Sequence, residues 1–356
     1  MSGRLDLRRG VVVSAEPLLV EVAGERRPAW ADTLLLGEMR PGDEVVVNVA
    51  AVELGLGSGG FDVVHVNLTR GLEGAERGSE HVIKLNYTSL QHPVDPVEAV
   101  EPKSRFLNHL IGEKGTTGLE SIGLSSRRSQ VPVLVLPLHG HLAPAAWAAA
   151  QAAPGLRVGY VQTGGGALPG SYSRDVATLR ERELLCGHIT AAPAYGGEHD
   201  ALSTVGALDA GAKLGWEAIL VGPGPGIIGS DTEFGHGGIA ALESAHAALS
   251  LGMPTTISPR LSATDPRERH RGLSHHTYTV LELLLAPVDV AVPTEFPDAA
   301  AELEAAREER HHLHLASADL DGYAASGLPT TTMGRALAED PMFFAAPLAA
   351  GHLLGA

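Results

Sequence analysis

The 356 residues hold 42 Asp and Glu against 26 Lys and Arg, a formal net charge of -16, with 44% hydrophobic and 19% charged positions. That balance is globular, long enough for one large core and a small one, and it argues against nucleic acid as a partner, because phosphate affinity rests on clustered Lys and Arg. One cysteine, Cys186, excludes an intrachain disulfide and any multi-cysteine metal site, and no run of about 18 to 20 apolar residues is present to span a bilayer.

Charges within residues 1–10 stand where a signal peptide would place its apolar run, so a cytoplasmic protein without a membrane partner is expected. Residues 1–70 read as strands at 11–13, 18–22, 45–52 and 61–68, separated by turn signals such as Pro41-Gly42-Asp43. Helical periodicity is absent there, which predicts a small β-barrel of SH3-like or OB-like kind. The glycine-rich stretch 55–60 runs into Phe61-Asp62-Val63-Val64, not into a helix, so it is expected to reverse the chain and not to bind a dinucleotide. Residues 71–130, interrupted by Pro93, Pro96 and Pro102 and holding one strand-like run at 81–87, are expected to form a connecting segment packed on the second domain.

From residue 131 the pattern alternates. Apolar runs at 131–138, 157–161, 218–221, 255–257, 288–292 and 312–315 predict strands. Between them, 145–153, 174–185, 201–214, 238–249, 275–285 and 299–310 predict helices. Short buried strands separated by amphipathic helices predict a mostly parallel α/β sandwich over 131–356, following the N-terminal β-barrel module. In such sheets ligands sit at the carboxyl ends of the strands, in the loops leading into helices.

Those loops are rich in Gly, His and hydroxyl residues. The segment 222–238 follows a strand and precedes a helix, so backbone N–H groups at Gly222, Gly224, Gly226 and Gly229 are candidates to cradle an anion, although neither a Walker A ending nor a nicotinamide fingerprint is present. A glycine-rich loop needed for close packing alone is the equally weighted alternative. Arg267 and Arg269, in a short basic cluster with His270 and Arg271, suit a small anionic ligand better than a polymer.

His139, His275 and His276 occupy the same class of loop and are candidates for general acid–base work, with Ser274 as a cap that places both imidazoles in a first helical turn. His199, Asp200 and His236, with Asp231, are candidates to hold a divalent metal such as Zn, Mn or Fe if the loops meet in space, since no HExxH spacing is present. His311, His312 and His314 are expected to be ordinary strand residues, and Cys186 an inert thiol. A small-molecule ligand and a homodimer are the expected partners.

Ordered pieces along most of the chain resemble a bacterial family of uncharacterised proteins, domain of unknown function 3866. They are His81-Val82-Ile83-Lys84-Leu85-Asn86-Tyr87-Thr88 with Leu90-Gln91, Leu138-His139, Gly166-Ala167-Leu168-Pro169, the Gly222–Gly226 loop with Gly229, Asp265-Pro266-Arg267-Glu268-Arg269-His270 with Ser274-His275-His276-Thr277, and Met333-Gly334-Arg335. The resemblance implies membership and carries no activity with it. From the residues themselves, an enzyme acting on a small anionic or phosphorylated metabolite is expected, with a sensing module that binds without turnover as the alternative.

Overall fold

The computed structural model describes residues 4–56, 59–72, 74, 78–100, 130–230, 232–306 and 309–356. Residues 73, 75–77 and 101–129 of the expected connecting segment lie outside the described residues, as do Gly57 and Ser58 of the glycine-rich stretch and Asp231. The chain divides into two compact units, Met1–His81 and Val82–Ala356.

The first unit is a closed five-stranded barrel. Strands β1 (Leu7–Ala15), β2 (Leu18–Val22), β3 (Glu25–Trp30), β4 (Glu44–Asn48) and β5 (Asp62–Asn67) run in the order β1-β2-β3-β5-β4, and β4 pairs back to β1. Alternation fills the interior: Val12, Val20, Val45, Val47 and Val64 point inward while Glu44 and Val63 stay at the surface. Closure leaves no unpaired edge. The strand expected over 45–52 stops at Asn48, whose side-chain oxygen accepts from Ala50 N–H at 3.1 Å and turns the chain into the short helix Ala50–Glu53. Strand β3 gave no sequence signal, because Glu25-Arg26-Arg27 leads it with no buried residue to mark an apolar face.

The second unit opens with the hairpin of β6 (Val82–Lys84) and β7 (His92–Val94). Its main sheet is built from β8 (Val133–Val135), β9 (Val158–Thr163), β10 (Gly187–Ala191), β11 (His199–Ala201), β12 (Ala218–Pro223) and β13 (Thr255–Ile257). After a ribbon of β14 (Leu261–Ser262) with β15 (Gly272–Leu273), the strands β16 (Asp289–Pro293) and β17 (His312–Ala316) complete it. The order is β11-β10-β9-β12-β8-β13-β16-β17, and every pairing is parallel. A last ribbon joins β18 (Thr331–Thr332) to β19 (Arg335–Ala336).

Period-two alternation divides each buried strand between two cores. Val133 and Val135 of β8, with Ile219 and Val221 of β12, face helices Thr204–Lys213 and Ala240–Ser250. Leu134 and Leu136, with Ala218 and Leu220, face helices Leu142–Ala152 and Pro341–Gly355. Fully parallel sheets need both faces covered in this way. One contact shows how tightly the first layer sits: a Cβ on Gly159 would fall 1.9 Å from the Trp216 ring, and one on Gly187 or Gly211 would fall 2.6 or 2.7 Å from it. The indole lies flat on backbone that only glycine leaves open.

Two strands of the main sheet were not foreseen, β10 and β11. Within them Ile189 is the one large aliphatic residue, and β11 reads His-Asp-Ala. The helix expected from 201 starts at Thr204, because Ser203 accepts from Gly206 N–H at 2.9 Å and caps it there.

Candidate functional site

The central strand β8 lies between β12 and β13. The chain leaves β8 toward β9 on one side, while β12 crosses to β13 on the other, which opens a crevice at the carboxyl ends. The loops after these three strands enclose a cavity of about 450 Å3. Leu138, His139 and Gly140 come from the loop after β8; Gly226, Gly229 and Ser230 from the loop after β12; and Arg260, Arg267, Arg269, His270 and His276 from the segment after β13. Met333 of the β18–β19 turn closes it.

Positive charge gathers on the β13 side. Arg260, 4% exposed, pairs through Nη2 with Asp265 Oδ2 at 3.3 Å, while Arg267 binds the same carboxylate at 2.9 Å through Nε and again through Nη2. Burial pulls the Arg260 guanidinium down to about 10, helped by the Arg267 charge, so it stays a cation at neutral pH. Burial alone would raise Asp265, but the Arg267 hydrogen bonds and the charges of Arg267 and Arg260 hold it well below the usual carboxylate range. One buried carboxylate thus anchors two guanidiniums beside the cavity, and Arg335 approaches it at 3.5 Å.

Behind that wall stand four histidines. The rings of His236 and His276 stack at 3.7 Å, His275 meets His276 edge-on at 4.4 Å, and His270 lies 4.8 Å from His276 and 4.9 Å from His275. The glycine-rich loop delivers His236, and helix His275–Leu283 delivers the other pair from its first turn. Ser274 caps that helix, accepting from His276 N–H at 3.3 Å, and also bonds His270 Nδ1 at 2.7 Å. Burial lowers all four imidazoles, His270 to about 3 and His276 to about 2, with Arg260 and neighbouring histidines adding to the effect. The cluster is neutral, and neutral imidazole is the form that accepts a proton or ligates a metal.

His139 is organised differently. Its Nδ1 faces the Pro223 carbonyl at 3.2 Å, and its Nε2 faces Ser173 Oγ at 2.7 Å. A carbonyl only accepts, so Nδ1 carries the proton, and the Ser173 hydroxyl donates to Nε2. Ser173 in turn accepts from Val176 N–H and caps helix Arg174–Glu181. Burial lowers His139, against the opposing charge of Asp175, which stands 3.8 Å away and lines the cavity.

Of the residues singled out in the sequence, the structure brings His139, Gly226, Gly229, Arg267, Arg269 and His276 to one cavity, with His236 and His275 stacked behind. Gly222 and Gly224 are buried instead, where a Cβ would fall 2.7 Å from the Leu136 carbonyl and 2.2 Å from the Ala167 carbonyl. They pack against backbone and are not among the residues lining the cavity. His199 and Asp200 belong to β11 at the end of the sheet, where Asp200 binds Lys84 Nζ at 2.6 Å and Thr190 Oγ1 at 2.8 Å. Among the described residues the group able to hold a metal is His236, His275 and His276. The sequence did not single out Arg260 or Asp265. The rule that ligands gather after parallel strands points to Arg260, three residues beyond β13; nothing in the sequence marks Asp265 as its partner.

A family model described as a protein of unknown function, DUF3866, matches residues 29–351. The chain belongs to the DUF3866 family. Neither a curated protein nor a solved structure matches it. In this DUF3866 chain the segment 265–277 supplies Arg267 and Arg269, two of the three guanidiniums of the cavity, and three of the clustered histidines. No helix among the described residues is long and apolar enough to cross a membrane.

Proposed function

We propose that this DUF3866 protein is an enzyme acting on a small anionic metabolite of the phosphorylated class, held in the crevice above β8. One observation carries the proposal: Arg260, Arg267 and Arg269 line the same cavity as His139 and His276. Guanidiniums supply planar paired donors for phosphate or carboxylate oxygens, and partial exclusion of water strengthens each such bond. The imidazoles of His139 and His276 beside that seat are unprotonated, the form that accepts a hydrogen bond from a bound ligand or ligates a metal. The volume, about 450 Å3, suits a metabolite and not a polymer.

The test is calorimetric titration with inorganic phosphate and with glycerol 3-phosphate, using glycerol as the neutral control. Binding of both anions, weakened about tenfold or more by Arg267→Ala or Arg269→Ala, is the expected result. Release of phosphate from a panel of phosphate monoesters, lost in His276→Ala, would identify an enzyme. Anion binding without turnover of any panel member would identify a sensor. No binding of either anion sinks the proposal.

A further inference from the structure

The nitrogens of His236, His275 and His276 lie within 4.8 Å of one another, one from each ring. His236 Nε2 faces the Glu233 carbonyl at 2.9 Å, and a carbonyl can only accept, so this nitrogen carries the proton and Nδ1 carries the lone pair. That Nδ1 is buried and has no hydrogen-bond partner among the described residues, in a residue 7% exposed. His275 Nε2 is likewise buried without a partner. Two orphaned ring nitrogens in one cluster point to a ligand, because buried polar atoms are ordinarily satisfied.

The surroundings fit a metal ion. Histidine ligands characteristically donate their second N–H to a backbone carbonyl, as His236 does to Glu233. Gly238 faces the cluster: a Cβ there would stand 2.9 Å from His236 Nδ1 and 3.0 Å from His276 Nδ1. The missing side chain leaves the space beside both Nδ1 atoms open. Bonds of about 2.0–2.1 Å hold tetrahedral ligand nitrogens roughly 3.3 Å apart, so binding requires the His236 and His276 rings, stacked 6° from parallel, to turn until their in-plane lone pairs converge.

We infer that His236, His275 and His276 form a three-histidine site for a divalent transition metal of the zinc type, on the wall of the crevice. Three imidazoles without a carboxylate favour such an ion over calcium or magnesium. A set of three protein ligands leaves a coordination position for water or for a ligand, and His276 is the member that lines the cavity. Arg260 Nη1 now donates to His276 Nδ1 at 3.3 Å; ligation through that atom replaces this long contact, and Arg260 keeps its ion pair with Asp265. The inference needs only this cluster, and it holds with or without an anion in the crevice.

The experiment uses the full chain, stripped with chelator and titrated with Zn2+ or Co2+ alone. One equivalent is expected, with Co2+ giving the visible absorption of a low-coordinate nitrogen site. His236→Ala and His275→Ala should each lower affinity at least tenfold, and His199→Ala should leave it unchanged. Gly238→Ala, which keeps every ligand and fills the space beside two of them, should also weaken uptake and serves where a histidine variant fails to fold. Retention of wild-type affinity in Gly238→Ala and in the folded histidine variants, or no metal uptake by the wild-type chain, overturns the site. Arg267→Ala should weaken phosphate binding while one equivalent of metal is still taken up, which keeps this test apart from the anion proposal.

Discussion

Arg260 and Asp265 pair at 3.3 Å with side chains only 4% and 0% exposed, so the crevice is built on an ion pair withdrawn from water. Removing one member leaves the other charge buried, which costs about 3–5 kcal/mol in comparable pairs. Asp265→Ala should therefore lower the unfolding free energy measured by denaturant titration by that much, and Arg260→Met by less. The double variant should be less destabilised than the sum of the two. Simple additivity would show that the pair does not act as a unit.

Trp216 and Gly159 give a second prediction. With a Cβ placed 1.9 Å from the indole, Gly159→Ala must push the ring or the strand aside, and overpacking of this kind costs about 1–3 kcal/mol or more. Trp216→Leu should make the same alanine nearly neutral. A full penalty in the Trp216→Leu background would place the strain elsewhere.

Acid should weaken the second unit through His141 and His188. Both are buried, and burial lowers each to about 3, assisted by the Arg260 charge at His141 and by His139 at His188. Their unfolded value is near 6.5, so between about pH 6.5 and pH 3 the unfolded chain binds more protons than the native one. Stability should be fully present above pH 6.5 and fall as pH drops through that window, by about 1.4 kcal/mol per pH unit for each histidine fully engaged. Denaturation midpoints across pH 4–7 measure it. A shallower slope in His141→Gln or His188→Gln is expected, and an identical slope in both would remove these residues from the account.

Lys84 holds the β6–β7 hairpin to the sheet of the same unit, with Nζ donating to Asp200 at 2.6 Å and to the Thr190 and Ala194 carbonyls at 2.9 and 2.6 Å. Burial lowers this ammonium group, with Asp200 opposing the effect. Lys84→Met should cost about 2–4 kcal/mol, because three buried acceptors lose their donor. Faster amide exchange at residues 82–94 should accompany it. Unchanged protection there would mean that the apolar contacts of the hairpin suffice.

The candidate site was partly legible from sequence because chemistry and backbone coincide in its loops. Gly226, Gly229, Arg267, Arg269, His139 and His276 all follow predicted strands, so one rule of parallel sheets collects them. Gly222 and Gly224 obey the same rule and still fail to face the cavity, since their packing against carbonyls depends on how two loops cross. His199 and Asp200 sit in a short strand at the edge of the sheet, and a residue triplet carries no sign of which strand it joins.

The apolar runs and the helical periodicity between them determined four of the five barrel strands, six of the eight strands of the main sheet and the α/β class, because burial of a strand or a helix face follows a local pattern. Only the tertiary structure decided that Arg260 would share Asp265 with Arg267, and that His236 would stack on a helix 39 residues further along. Charge pairing and ring stacking depend on distances through space, and the order of strands that sets those distances is written in no single segment.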